Sequence, residues 1–141
     1  MKKVLIAVLA VLLCFGAVLG FASCKEEETT KVKVDINLAA MTANMAYSTL
    51  SNIENNPSEY EGKTVKVKGV FSKKTFSGGS KVHHCFIYVY DSSICCYART
   101  TFVWDGDLPE SGSDVTVTGA VCSKKENGTE YPEIQAVSVK F

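Results

Sequence analysis

Thr64-Val65-Lys66-Val67-Lys68-Gly69-Val70-Phe71 decides the class of this chain. Polar and apolar residues alternate through it, which is the period of a strand with one face in a core and the other toward water. The same signature returns at Asp114-Val115-Thr116-Val117-Thr118-Gly119-Ala120-Val121. Between the two, Val82 to Tyr90 and Cys95 to Trp104 read as further strands, entered by the turn Ser77-Gly78-Gly79-Ser80 and joined by the short hairpin loop Asp91-Ser92-Ser93-Ile94. Asn127-Gly128 is a strong hairpin signal, because both residues tolerate the positive φ of a type I′ turn. Tyr131 to Phe141 then supplies a fifth strand. Gly69 and Gly119 lie inside two of these strands. Interior glycine marks a bulge or a barrel corner, so the five strands are expected to close into a small barrel.

Upstream, the period changes. Leu38, Met41, Met45, Leu50 and Ile53 recur at helical spacing and predict a helix over 37–55. Asn37 is placed to cap it. Asn55-Asn56-Pro57 ends it, because a residue before proline avoids the helical region. Met41 and Met45 are expected to pack the helix onto the barrel.

The stretch Asn56-Pro57-Ser58-Glu59-Tyr60-Glu61-Gly62-Lys63-Thr64-Val65-Lys66-Val67-Lys68-Gly69 resembles the lead into the first strand of bacterial OB-fold domains of the tRNA_anti-like kind. Asp114 to Gly119 resembles their fourth strand, and the resemblance covers about residues 38–141. It implies a mainly β, five-stranded OB-fold Greek-key barrel preceded by an N-terminal helix. OB-folds bind oligonucleotides or oligosaccharides on the face of their second and third strands. The fold alone implies no function.

If Ser92-Ser93 sets the register of that hairpin, Tyr90 faces Cys95, Tyr88 faces Tyr97 and Phe86 faces Arg99. Side chains alternate between faces. One face then carries His84, Phe86, Tyr88, Tyr90, Cys95, Tyr97 and Arg99, an aromatic stripe with one guanidinium of the type that stacks sugars or bases. The other carries His83, Cys85, Ile87, Val89, Cys96, Ala98, Phe102 and Trp104 and is the better core. Phe86, Tyr88, Tyr90, Tyr97 and Arg99 are therefore candidate ligand-binding residues. The competing expectation is that the helix covers the stripe and makes it core.

Four cysteines fall in this region: Cys85, Cys95, Cys96 and Cys122. Outside the cytoplasm an even number suggests disulfides. In the register above, Cys85 lies opposite Thr100, about 13 Å along the partner strand from Cys96 at about 3.3 Å per residue. A disulfide needs Cα atoms within about 7 Å. Cys122 is then the partner of one of the others, or no such bridge exists. Adjacent Cys95 and Cys96 point to opposite faces if the strand is regular. The alternative is a zinc or copper site, for which His83, His84, Cys85, Cys95, Cys96 and Cys122 supply nitrogen and sulfur donors.

The chain opens Met1-Lys2-Lys3, runs almost wholly apolar from Val4 to Leu19, and closes on Phe21-Ala22-Ser23-Cys24 before Lys25-Glu26-Glu27-Glu28. A basic start, an apolar run and small residues at a junction are the layout of a secretory signal. With its cysteine, the junction resembles a bacterial lipobox. That resemblance implies cleavage after residue 23 and acylation of Cys24, palmitate included. Residues 1–23 are then a signal peptide, 24–36 a charged, Thr-rich tether, and 37–141 the folded domain. The expected place is extracytoplasmic, on the cell membrane or outer membrane, with the membrane reached through the N-terminal lipid. Two or three acyl chains hold a protein firmly, at about 0.8 kcal/mol per buried CH₂.

Fifteen basic and fifteen acidic residues give the full chain a formal charge of zero, and loss of Lys2 and Lys3 leaves −2. Nucleic acid, which demands a basic face, is not an expected partner. No G-x-S-x-G, H-E-x-x-H or phosphate loop is present. The expectation is a non-enzymatic binding module without cofactor, for an oligosaccharide or an envelope protein. Alternatives are a zinc- or copper-binding lipoprotein and an accessory subunit of an envelope complex.

Overall fold

The computed structural model describes residues 32–75 and 83–141, without the side chains of Thr75, His83 and His84. The expected signal peptide, the acylated Cys24 and residues 25–31 of the expected tether lie outside these residues. The elements are β1 (Ile36–Asn37), α1 (Ala43–Asn55), β2 (Thr64–Thr75), β3 (His83–Tyr90), β4 (Tyr97–Val103), β5 (Asp114–Glu126) and β6 (Thr129–Lys140). Short 3-10 turns at Leu38–Ala40 and Pro57–Tyr60 flank α1. Among the described residues no helix is long and apolar enough to cross a membrane.

The fold is mainly β: five strands, β2 to β6, form a closed barrel accompanied by one helix. The sheet order is β1-β2-β3-β4-β6-β5, and β5 returns to pair with β2. β4 and β6 run parallel, as do β1 and β2, and the other pairs are antiparallel. Closure depends on β2 serving two neighbours. Its first half, Thr64 to Val70, pairs with β5, and its second half, Val70 to Thr75, pairs with β3. Gly69 sits where the partner changes. A Cβ there would run into the carbonyl oxygen of Tyr88 and lie 3.0 Å from Ile87 Cγ1. Glycine is what lets β3 approach so closely. Gly119 plays the matching part on β5, where the register with β6 shifts between Thr118 and Gly119 and a Cβ would strike the Gln135 carbonyl. Such a bulge bends the strand and turns a barrel corner.

The alternation read in the sequence is the alternation of burial. Val65, Val67 and Phe71 of β2 and Val115, Val117 and Val121 of β5 are buried, and they meet Ile87, Phe102 and Ile134 in one core. Phe71 and Phe102 pack at 6.0 Å between ring centroids. Asn127 (φ 50°) and Gly128 (φ 84°) both take the left-handed conformation at the β5–β6 turn, as a type I′ turn requires.

The helix departs from expectation at its start. Asn37 belongs to β1, and α1 begins at Ala43 with Thr42 as its cap, whose Oγ1 accepts the Met45 N–H at 3.4 Å. The buried stripe is accordingly Ala46, Leu50 and Ile53, at i, i+4 and i+7. Met45 falls off that stripe and is 57% exposed, whereas Met41 packs against the core. Residues 35–37, at the edge of the expected tether, are tied to β2: the Asp35 N–H donates to the Thr64 carbonyl, and Asp35 Oδ2 accepts the Thr64 N–H.

Candidate functional site

The β3–β4 hairpin carries both groups of candidate residues. Its register differs from expectation by two residues: Tyr90 faces Tyr97, Tyr88 faces Arg99, Phe86 faces Thr101 and Cys85 faces Phe102. The connection is longer than the four residues expected, running from Asp91 to Cys96, so Cys95 and Cys96 are loop residues rather than the start of β4. A shift of two leaves the described side chains of β3 and β4 on the faces expected for them, because the strand period is two, whereas Cys95 and Cys96, now in the loop, leave that alternation. Cys85, Ile87, Val89, Ala98 and Phe102 are core. Phe86, Tyr88 and Tyr90 are half-buried, and Tyr97 and Arg99 are exposed. The apolar side chains of the helix enter the core, and Tyr97 and Arg99 of the stripe stay exposed.

The stripe is one continuous set of rings. Tyr97 stands edge-on to Tyr88 at 5.3 Å and to Tyr90 at 5.9 Å, and Phe86 lies 6.4 Å from Tyr88. Offset and edge-to-face contacts of this kind leave ring faces open. Cations border one end, with Lys74 Nζ at 5.6 Å and the Arg99 guanidinium at 5.8 Å from the Phe86 ring. Among the described residues no carboxylate pairs with that guanidinium.

At this end the surface deepens into a cleft of about 600 Å³. It is lined by Phe86, Arg99 and Thr101 of β3 and β4, by Glu54 of α1, and by Glu126, Asn127, Thr129 and Tyr131 of the β5–β6 hairpin. The walls are fixed. The Arg99 N–H donates to Glu54 Oε2 at 3.3 Å, and the hydroxyls of Thr100 and Thr101 both donate to the Pro132 carbonyl at 3.2 Å. Sequence reasoning found Phe86 and Arg99 and missed the rest. Tyr131 could have been picked out as an aromatic just after the Asn127-Gly128 turn. Glu54 carries no local signal, because it comes from another element.

The cysteines separate into three environments, and all four are free thiols. Cys85 is buried on the inner face of β3, and burial pushes its thiol above the ordinary range. Cys122 is half-buried on β5, opposite Glu133. Of the two outcomes left open for Cys122, the described residues show the one without a bridge. Cys95 and Cys96 are exposed, and their Sγ atoms lie 3.4 Å apart, not on opposite faces. The backbone turns them together: Ile94 takes φ 58°, and the Asp91 N–H donates to the Cys96 carbonyl at 3.1 Å.

Asp91 organises this loop. Its Oδ1 accepts the N–H groups of Cys95 and Cys96, and its Oδ2 accepts the Ser93 hydroxyl at 2.8 Å and the Cys95 thiol at 3.4 Å. The Ser93 hydroxyl holds the Asp91 carboxyl below the usual carboxylate range, helped by Cys95 and by the two N–H groups. The Cys96 thiol is pushed up by its hydrogen bond to Cys95 and by the negative charge of Cys95 and Asp91. Of the four expected metal or disulfide candidates whose side chains are described, Cys95 and Cys96 are brought together, and Asp91 joins them. The His83 and His84 side chains lie outside the described residues. Asp91 was missed, although an aspartate opening a Ser-rich turn is a known signal for side-chain capping of the backbone.

No family model matches the chain, and no curated protein matches it.

Proposed function

We propose that this chain is a lipid-anchored, extracytoplasmic binding module with an OB-fold barrel, and that it holds an oligosaccharide without transforming it. The observation that carries this is the stripe Phe86–Tyr88–Tyr90–Tyr97, left open on the barrel and running into the cleft beside Arg99. The closed order β2-β3-β4-β6-β5 supports the OB-fold reading. In that fold the second and third strands and the turn between the fourth and fifth take the ligand. Here these are β3, β4 and the turn at Asn127-Gly128, which border the cleft.

The cleft chemistry favours sugar over nucleic acid. Tyrosine rings offer apolar faces to pyranose C–H groups, while Glu54, Glu126, Asn127 and Thr129 offer acceptors and donors for hydroxyls. Glu54 and Glu126 offset Arg99 and Lys74 at this end, and the anchored chain would carry −2, so no basic face is presented to a phosphate backbone. The lipobox at residues 21–24 supports membrane attachment, which metabolic labelling with palmitate and a Cys24→Ser variant would test. An envelope protein is the other candidate occupant of the stripe.

The deciding experiment is an NMR titration of the isotope-labelled protein with soluble envelope oligosaccharides. Shifts centred on Tyr88, Tyr97, Arg99 and Tyr131, lost in a Tyr88→Ala/Tyr97→Ala variant, would support the proposal. Binding that survives both substitutions, or no binding together with a protein crosslinked at Tyr97, would overturn it.

A further inference from the structure

We propose that Asp91, Cys95 and Cys96 form a zinc site with one open coordination position at the tip of the β3–β4 hairpin. Its ligands are two thiolates and one carboxylate, and each offers an atom within 4.8 Å of the others. The separations fit the ion. Zinc binds thiolate at about 2.3 Å and carboxylate at about 2.0–2.2 Å, so a tetrahedral site places S and S about 3.8 Å apart and S and O about 3.6 Å apart. In this loop Cys95 Sγ lies 3.4 Å from Cys96 Sγ and 3.4 Å from Asp91 Oδ2. Small side-chain rotations of exposed residues would open the triangle by the remaining few tenths of an ångström.

The ligands are also held from behind. Asp91 Oδ1 is fixed by the N–H groups of Cys95 and Cys96, and Oδ2 by the Ser93 hydroxyl. The loop is tied to α1, because the Ser92 N–H donates to Asn44 Oδ1 at 2.8 Å. Outer partners of this kind orient metal ligands and tune their affinity. Charge points the same way. Among the described residues no cationic side chain pairs with Asp91, so the cluster lacks a counter-ion of its own. Zinc binding would displace both thiol protons to solvent and neutralise part of the resulting anionic charge. The carboxylate favours zinc over copper(I), which prefers all-sulfur donors. Three protein ligands leave the fourth position to water or to an incoming donor. The site is separate from the cleft and does not depend on sugar binding.

The test uses the full chain, reduced and metal-free under anaerobic conditions. It is titrated with zinc against a chromophoric chelator, and with cobalt(II) as a spectroscopic substitute. One zinc per chain is expected, with a thiolate-to-cobalt charge-transfer band that falls by about half in Cys95→Ser or Cys96→Ser. Asp91→Asn should weaken zinc binding by about tenfold to a hundredfold, while Cys122→Ser and Tyr97→Ala leave it unchanged. Circular dichroism of each variant confirms that the barrel persists. Absence of stoichiometric zinc, or zinc binding that survives both serine variants, would overturn the proposal. So would a peptide map of chain isolated without reductant or chelator that shows Cys95 bonded to Cys96 and no zinc.

Discussion

Gly69→Ala isolates the contact on which barrel closure depends. The new methyl group would meet the Tyr88 carbonyl oxygen, with the Tyr88 carbonyl carbon and Ile87 Cγ1 both at 3.0 Å, whereas ordinary contact begins near 3.4 Å. Two of these three atoms are backbone, so no rotamer change relieves the clash and β3 itself must move away from β2. Overpacking of this kind costs about 1–3 kcal/mol. Alanine restricts the unfolded chain more than glycine and returns about 0.4–1 kcal/mol. The net loss is then about 1–2 kcal/mol, and at about 4–8 °C per kcal/mol for a domain of this size Tm should fall by about 5–15 °C. Thermal unfolding followed by circular dichroism gives the size, and amide hydrogen exchange gives the place. Faster exchange should be confined to the Val70–Tyr88 end of the β2–β3 ladder and leave β5–β6 protected. A variant as stable as the parent, or one loosened mainly at β5–β6, would refute this account of how the barrel closes.

Other outcomes follow from the same geometry. Ile87→Ala, at a fully buried position, should cost about 2–5 kcal/mol in urea unfolding. Tyr97→Ala, at a residue 55% exposed with two ring partners, should cost about 1–3 kcal/mol at about 0.5–1.5 kcal/mol per aromatic pair, less than Ile87→Ala; equal losses at the two would mean that the stripe is core. Cys85 should resist alkylation in the native protein while Cys95 and Cys96 react, and all should react in denaturant. Because burial raises the folded-state pKa of Cys85, its contribution to stability is complete below the ordinary thiol range and is lost as pH climbs through the raised value, which chemical unfolding across alkaline pH would record. Gly128→Ala, at φ 84°, should cost about 1–2 kcal/mol by forcing a side chain into the left-handed region, with exchange in β5–β6 rising first.

Much of this architecture was legible because it is local. The alternation of Thr64 to Phe71 and of Asp114 to Val121 reports which side chains are buried, since a strand offers only two faces. Asn127-Gly128 names its own turn, and Gly69 and Gly119 announce the corners, because only residues without a Cβ allow such backbone approach. The partition of β3 and β4 into an aromatic face and a core face survived an incorrect register for a related reason. The hairpin was displaced by two residues, and displacement by an even number conserves parity.

What only the tertiary structure decided is whatever depends on meetings between distant or irregular segments. The helix begins at Ala43 because residues 35–37 are drawn onto β2, a pairing no local pattern encodes. Glu54 and the β5–β6 hairpin become cleft walls only after closure brings three elements together around Arg99. Cys95 and Cys96, which a regular strand would point apart, converge because the Asp91 carboxylate accepts their N–H groups and lengthens the loop. Periodicity therefore determined which residues face inward, while the Asp91 hydrogen bonds and the closure of β5 onto β2 determined which outward-facing residues stand together.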